Sequence, residues 1–412
     1  MGSIKNIEGG VVAPKGFKAT GLEVGIKEGH SGKKDMAIVF ATVPCKAAGT
    51  FTTNRVKAAP VKWDRQIVDN SEYVRAVVVN SGIANACTGE EGYGYCRDIA
   101  EKTSEMFNIP SDSVLVASTG VIGAQLPMDK INKGIELMAP LVGDKPEDAT
   151  LAAKAIMTTD TVSKQIAIQV EIGGKTVTIG GMCKGSGMIH INMCTMLGFI
   201  TTDCNISKKM LQTALSETIE DTFNMVSVDG DTSTNDTVLC LASGLAENEE
   251  IKEKNSDYIT FKEALVKVAT WLSKKIAGDG EGATALFEVK VINAMSKKQA
   301  VTISKSIVTS SLTKTAIYGH DANWGRILCA MGYSGADFDP DIVDIYFESK
   351  AGKIKIVENG VATGYSEEEA TKILSEPEVT AIADLKQGAM EATAWGCDLT
   401  YDYVKINADY RS

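Results

Sequence analysis

The sequence predicts an α/β (α+β) protein in which mixed sheets are covered by helices. Segments with helical period alternate with short runs rich in β-branched residues. The runs cluster, two of them about a Gly-Gly pair, whereas a parallel βαβ repeat would space them regularly between helices. The chain has 412 residues, 44% hydrophobic and 23% charged, enough for a sizeable core and more than one domain.

Taken in order, "RAVVVN" (75–80) reads as a strand, and 94–107 as a helix with Ile99, Met106 and Phe107 on one side. "SVLVAS" (113–118) is a strand that runs into Ser118-Thr119-Gly120. Helical period returns over 128–142 and 149–157. "QIAIQVEI" (165–172) and "TVTIGG" (176–181) flank Gly173-Gly174 and predict a hairpin. Helices follow at 207–223 and 260–277, the latter opening on Thr260 as a cap and ending before Gly278. "TALFEVKVI" (284–292), "DIVDIYF" (341–347) and "GKIKIVENG" (352–360) are strands. The boundary signal is "GDGEGAT" (278–284), which separates a smaller C-terminal α/β domain, 284–412.

Charge and residue counts exclude several functions. A net charge of −11 argues against nucleic acid or an anionic membrane as partner. Neither a signal peptide nor a run of about 18 uncharged apolar residues occurs. Nine scattered cysteines, odd in number and without CxxC, fit thiols in a reducing cytoplasm. The three histidines, His30, His190 and His320, are far apart in sequence, so a zinc motif of the HExxH type is absent and no metal is expected. There is no GxSxG elbow either, so acyl-transfer chemistry here points to a base other than histidine.

The glycine clusters do not make a nucleotide fingerprint. "GDGEGA" follows a helix where a dinucleotide site needs a strand, and "KGSG" (184–187) lacks the Walker spacing. Such turns can still converge backbone N–H groups on an oxyanion. "VDGDTSTNDT" (228–237) lacks the EF-hand spacing and reads as a turn held by Asx hydrogen bonds. In "HDANWGR", Arg326 is expected to form a structural ion pair with Asp321.

"HINMCTMLGFITTD" places Thr195 before an apolar run, and pattern alone allows two uses for it. It could be a core-facing strand residue. It could also be a nucleophile, if the chain were cut just before it. The new α-amine, with a pKa of about 7.7–8.0, would then serve as base to the hydroxyl of the same residue. Thr195 Oγ attacking the Cys194 carbonyl would give an ester that water hydrolyses. That first step needs another proton acceptor.

"KGSGMIHINMCTMLGFITTD" (184–203) resembles the autocleavage segment of the ornithine acetyltransferase (ArgJ) family. The resemblance extends to "APKGFKATG" (13–21), "GTFTTNRVKAAPV" (49–61), "VVNSGIANACTG" (78–89), "STGVIG" (118–123), "AIMTTDT" (155–161), "VDGDTSTNDT" (228–237), "DANWGRIL" (321–328) and "INADYRS" (406–412). It implies transfer of acetyl from N2-acetylornithine to glutamate, with acetyl-CoA as a second donor in many members and no bound cofactor. It implies cleavage at Cys194-Thr195 into an α chain (1–194) and a β chain (195–412) that stay together, commonly as a heterotetramer. It also implies a DmpA/ArgJ-like fold with N-terminal-nucleophile-type function, with residues 195–283 completing the catalytic core.

Carried over by position, Thr195 is the nucleophile and Thr119 and Gly120 form the oxyanion hole. Thr158, Lys184, Glu281, Asn407 and Ser412 bind substrate together with Thr195. Lys184 is expected on the substrate carboxylate and Glu281 near its amino group. The sequence departs from the family pattern at Ile191 (usually Pro), Cys194 (usually Ala), Ser163 (often Pro) and Ser412 (commonly Thr), and the loss of Pro at 191 is expected to slow cleavage. The rival reading is a self-cleaving amidase or aminopeptidase with water as acceptor.

Overall fold

The structure, a computed structural model, describes residues 4–27, 32–190 and 196–409. Cys194, Thr195, Ile191, His30 and Ser412 lie outside the described residues.

A nine-stranded mixed sheet is built from β1 (Lys5–Ile7), β2 (Phe17–Leu22), β3 (Met36–Phe51), β4 (Val74–Ile83), β5 (Val114–Val121), β6 (Lys164–Ile172), β7 (Lys175–Lys184), β8 (Leu197–Thr202) and β9 (Thr237–Ala242). Its order is β1-β6-β7-β8-β9-β3-β4-β5, with β2 also on β3. The long β3 joins two halves, pairing β2 and β4 through 36–45 and β9 through 46–51. β4 and β5 are parallel, as are β8 and β9.

The pattern of β4 follows from burial on both faces. Ala76 and Val78 pack with Ile99 and Ile131, from α2 (Gly89–Phe107) and α3 (Met128–Met138). Val77 and Val79 face the opposite way, toward Ala152 and Ile156, in and just after α4 (Pro146–Ala155). Successive strand residues point to opposite sides, so a strand covered twice reads as an unbroken apolar run. The predicted hairpin is present: Ile172 pairs with Lys175, and Gly173 and Gly174 both take positive φ, 57° and 73°, as a two-residue primed turn requires.

A six-stranded sheet is formed by β10 (Leu286–Ala294), β11 (Asp344–Ser349), β12 (Gly352–Glu358), β13 (Val361–Ala362), β14 (Glu378–Asp384) and β15 (Met390–Cys397). The long α6 (Ser256–Gly278) packs on β6 and β7 and also on β10 and β15, so one apolar core links the two sheets. Its start differs from expectation. Asn255 is the cap, accepting from Tyr258 N at 3.0 Å, and Thr260 lies a turn inside, its hydroxyl turned back to Ser256 O. Asn255 is two polar residues, Ser256 and Asp257, before buried Tyr258, and a cap makes no apolar contact that periodicity would register. The helix predicted over 128–142 is α-helical only to Met138, with a 3₁₀ turn at Ala139–Leu141 around Pro140. Arg326 forms no ion pair with Asp321. Its Nη1 donates to Leu312 O and Thr315 Oγ1, and Asp321 accepts from Asn323.

The eight cysteines among the described residues are free thiols. Among the described residues no helix is long and apolar enough to cross a membrane.

Candidate active site

A cavity at the end of β5 is lined by Thr119, Gly120, Thr158, Lys184, Glu281 and Asn407, together with Ser233–Asp236. Six of the sequence-predicted site residues therefore share one space, although 288 positions separate Thr119 from Asn407. Met188 and Ile189 line it on one side of the undescribed 191–195 segment, and Met196 and Leu197 on the other. Lys184 pairs directly with Leu197 across the β7–β8 ladder.

Thr119 and Gly120 sit on β5, the last strand of its sheet, so one edge of their backbone has no strand partner. Gly120 is irreplaceable on steric grounds. Its φ is 127°, and a Cβ there would lie 2.2 Å from the Gly82 carbonyl carbon. The neighbouring strand ends are tied together by Asn235, whose Nδ2 donates to Ala84 O and Ser118 O, and by Ser118 Oγ donating to Asn80 Oδ1 at 2.6 Å. Sequence reading gave the 228–237 segment only a turn. Asn235 holds the strand ends in register, and four residues of that segment face the cavity.

Lys184 ends β7 and is buried. Burial lowers its pKa, although Asp160, Asp236 and Glu281 oppose that shift. Its Nζ approaches Thr119 Oγ1 at 3.5 Å. Beneath it lies a buried charge network. Lys164 Nζ contacts Asp160 Oδ1 at 2.7 Å and also reaches Asp279. Burial would raise the Asp160 carboxyl, but the Lys184 and Lys164 charges and the Gly185 N–H outweigh it and hold the group below its usual value. Burial would lower Lys164, and its two carboxylates more than offset that. The network fixes the site loops: Asp160 Oδ2 accepts from Thr158 N at 3.0 Å and Oδ1 from Gly185 N at 2.9 Å.

The "KGSG" turn is a close-approach device. A Cβ on Gly187 would lie 2.4 Å from the Glu281 carboxylate, and one on Gly185 would strike Ile276. Ser186 and Met188 both take positive φ, 101° and 57°, so the loop leading toward residue 190 is strained. Asp229 holds it there, accepting from Met188 N at 2.7 Å and Ile189 N at 2.8 Å. Glu281 follows the end of α6 and accepts from Asn407 Nδ2 at 2.7 Å, which brings the C-terminal helix α11 (Tyr401–Asp409) to the cavity. Among the described residues no cluster of His, Cys, Asp and Glu is arranged to hold a metal.

The ArgJ family model matches residues 18–412. An arginine biosynthesis bifunctional protein ArgJ from Thermotoga neapolitana is 53% identical over 97% of this chain and 99% of its own length. The chain belongs to the ArgJ family. A crystal structure of the family member from Bacillus halodurans is 50% identical and is matched over 100% of its chain by 52% of this one, at a TM-score of 0.50. The ornithine acetyltransferase from Mycobacterium tuberculosis, solved with ornithine, is 41% identical over 45% of this chain and 97% of that one, at a TM-score of 0.42.

Proposed function

We propose that this protein is a glutamate N-acetyltransferase of arginine biosynthesis. It moves acetyl from N2-acetylornithine to glutamate through an acetyl-Thr195 ester, and takes acetyl-CoA as a second donor. The observation that carries this is convergence: six carried-over residues, from five separate stretches of chain, line one cavity whose walls include the residues on both sides of 190–195.

The chain first cleaves itself. Thr195 Oγ attacks the Cys194 carbonyl carbon, the C–N bond breaks, and the Cys194 ester is hydrolysed by water to a carboxylate. In the matured site the Thr195 amine takes the hydroxyl proton as Oγ attacks the acetyl carbonyl. The oxyanion develops against the strand-end backbone of Thr119 and Gly120, where a preorganised donor is worth about 10²–10³ in rate. Ornithine leaves with the proton, and the glutamate amine attacks the ester to regenerate Thr195. Lys184 meets the substrate α-carboxylate, and Glu281, oriented by Asn407, meets the amino group. Ser412 is carried over by motif as a further substrate-binding residue. The α and β chains work as a cytoplasmic heterotetramer with two of each. A solved relative whose whole chain corresponds to about half of this one is what a processed family member would give.

Thr195→Ala tests the reading. We expect the variant to run as one intact polypeptide and to lose labelled-acetyl exchange between N2-acetylornithine and glutamate. A variant that still splits and still transfers acetyl overturns it. Release of free acetate in place of acetylglutamate by the unsubstituted enzyme overturns the choice of acceptor.

A further inference from the structure

A second cavity adjoins the first. It is lined by Ile26, Gly82, Ile83, Val121, Ala124, Gln125, Pro127, Thr158 and three lysines, Lys27, Lys33 and Lys130. The same strand end separates the two spaces: Thr119, Gly120 and Ile122 line the first, Val121 and Ala124 the second. Thr158 lines both. The second cavity is the roomier, about 490 Å³ against about 180 Å³, so it suits a ligand larger than an amino acid.

Its charge is one-sided. In a chain of net charge −11, no carboxylate stands among the described residues lining this cavity. Lys27 Nζ is held at the wall by Met157 O at 2.7 Å and Lys34 O at 3.1 Å, and an ammonium with three donors keeps one to spare. Lys130 Nζ donates to Gly25 O at 2.6 Å and keeps two. Lys33 is exposed and close enough to Lys27 to repel it. Burial brings the Lys27 ammonium down to about 8, with Asp35 opposing and Lys33 adding to the fall. Asp35 and Asp160 act on Lys27 from behind the wall, but neither lines the cavity, so the three ammoniums on the lining offer more positive charge than a single carboxylate ligand would neutralise. They match a multiply charged phosphate, for which lysine is a well-suited point charge.

We propose that this second cavity binds the phosphate-bearing portion of the thioester donor, with Lys27, Lys33 and Lys130 on its phosphates, while the acyl end passes Thr158 into the first cavity. This rests on the reaction proposed above and gives the two donors different footholds. N2-acetylornithine, which carries no phosphate, uses the first cavity alone.

The test is direct titration of the mature enzyme with coenzyme A, adenosine 3′,5′-bisphosphate and inorganic phosphate, repeated on the Lys33→Ala/Lys130→Ala variant. We expect saturable coenzyme A binding that the double variant weakens at least tenfold, with the KM for N2-acetylornithine within twofold of the unsubstituted enzyme. Adenosine 3′,5′-bisphosphate should compete with acetyl-CoA and leave N2-acetylornithine untouched. Coenzyme A that does not bind, or binds the double variant as well as the parent, overturns the proposal. So does inorganic phosphate binding as tightly as coenzyme A, which would make the site one for the free ion. The titration needs no turnover, so its failure is distinct from failure of acetyl exchange, which would overturn the reaction itself.

Discussion

Lys184 shows how one residue's surroundings decide what it can do. Its ammonium is buried, and burial disfavours the charged form, so the group loses its proton at a lower pH than an ordinary lysine. Keeping it charged costs stability at neutral pH, a cost that fits a role in binding an anion. The sign of the pH dependence follows. In the proposed role, the form that would bind a carboxylate exists below the lowered pKa and is lost as pH rises through it. The KM for N2-acetylornithine should therefore climb on the alkaline side, beginning below the usual lysine range, with kcat changing less. Lys184→Met should raise that KM about tenfold or more, the equivalent of the ~1.5–3 kcal/mol of a charged hydrogen bond, and flatten the alkaline rise. A KM in the unsubstituted enzyme that stays level up to ordinary lysine titration would remove Lys184 from carboxylate recognition.

At the scale of elements, the site depends on loops held by a few buried groups. The turn after α4, the end of β7 and the end of α6 all meet at the Asp160–Lys164–Asp279 network. Lys164→Met would remove the ammonium that bridges buried Asp160 and Asp279 and leave only the Lys184 charge acting on Asp160, and losing one partner of a buried pair costs about 3–5 kcal/mol. Denaturant unfolding at neutral pH should show that loss. In the parent, Asp160 is held below its usual pKa, so its stabilisation is present above the unfolded carboxyl pKa and fades as pH falls through the folded one. The variant's deficit should shrink in acid, because protonation removes the unpaired charge. A deficit independent of pH would assign the loss to packing instead.

Across the whole molecule, sheet order would keep the two parts together if the chain is cut before residue 195 as proposed. β1 to β7 precede residue 195 and β8 and β9 follow it, yet β8 and β9 lie in the middle of the sheet, between β7 and β3. Separating the fragments would break the β7–β8 and β3–β9 ladders and open the core that α6 shares with both sheets. If the proposed cleavage occurs, the protein should therefore elute with both fragments together and unfold in one transition, with the fragments parting only in denaturant. Native elution of either fragment alone would contradict this topology.

Read alone, the chain gives the alternation of helices and strands, the Gly173-Gly174 hairpin and, through motifs matched in order, which residues to carry over as site candidates. These are local properties: periodicity, turn chemistry and short motifs are carried by neighbours in the chain. It could not show that Asn235 ties two strand ends together or that Asp229 holds the strained loop at 186–189, because those bonds join residues from distant stretches. The helix start moves from Thr260 to Asn255 for a related reason, since apolar period marks the buried face of a helix and not its first turn. That residues 119, 158, 184, 281 and 407 share one cavity, and that a second, lysine-lined one adjoins it, emerges in three dimensions. Charge and close approach depend on distance in space, which sequence spacing does not encode.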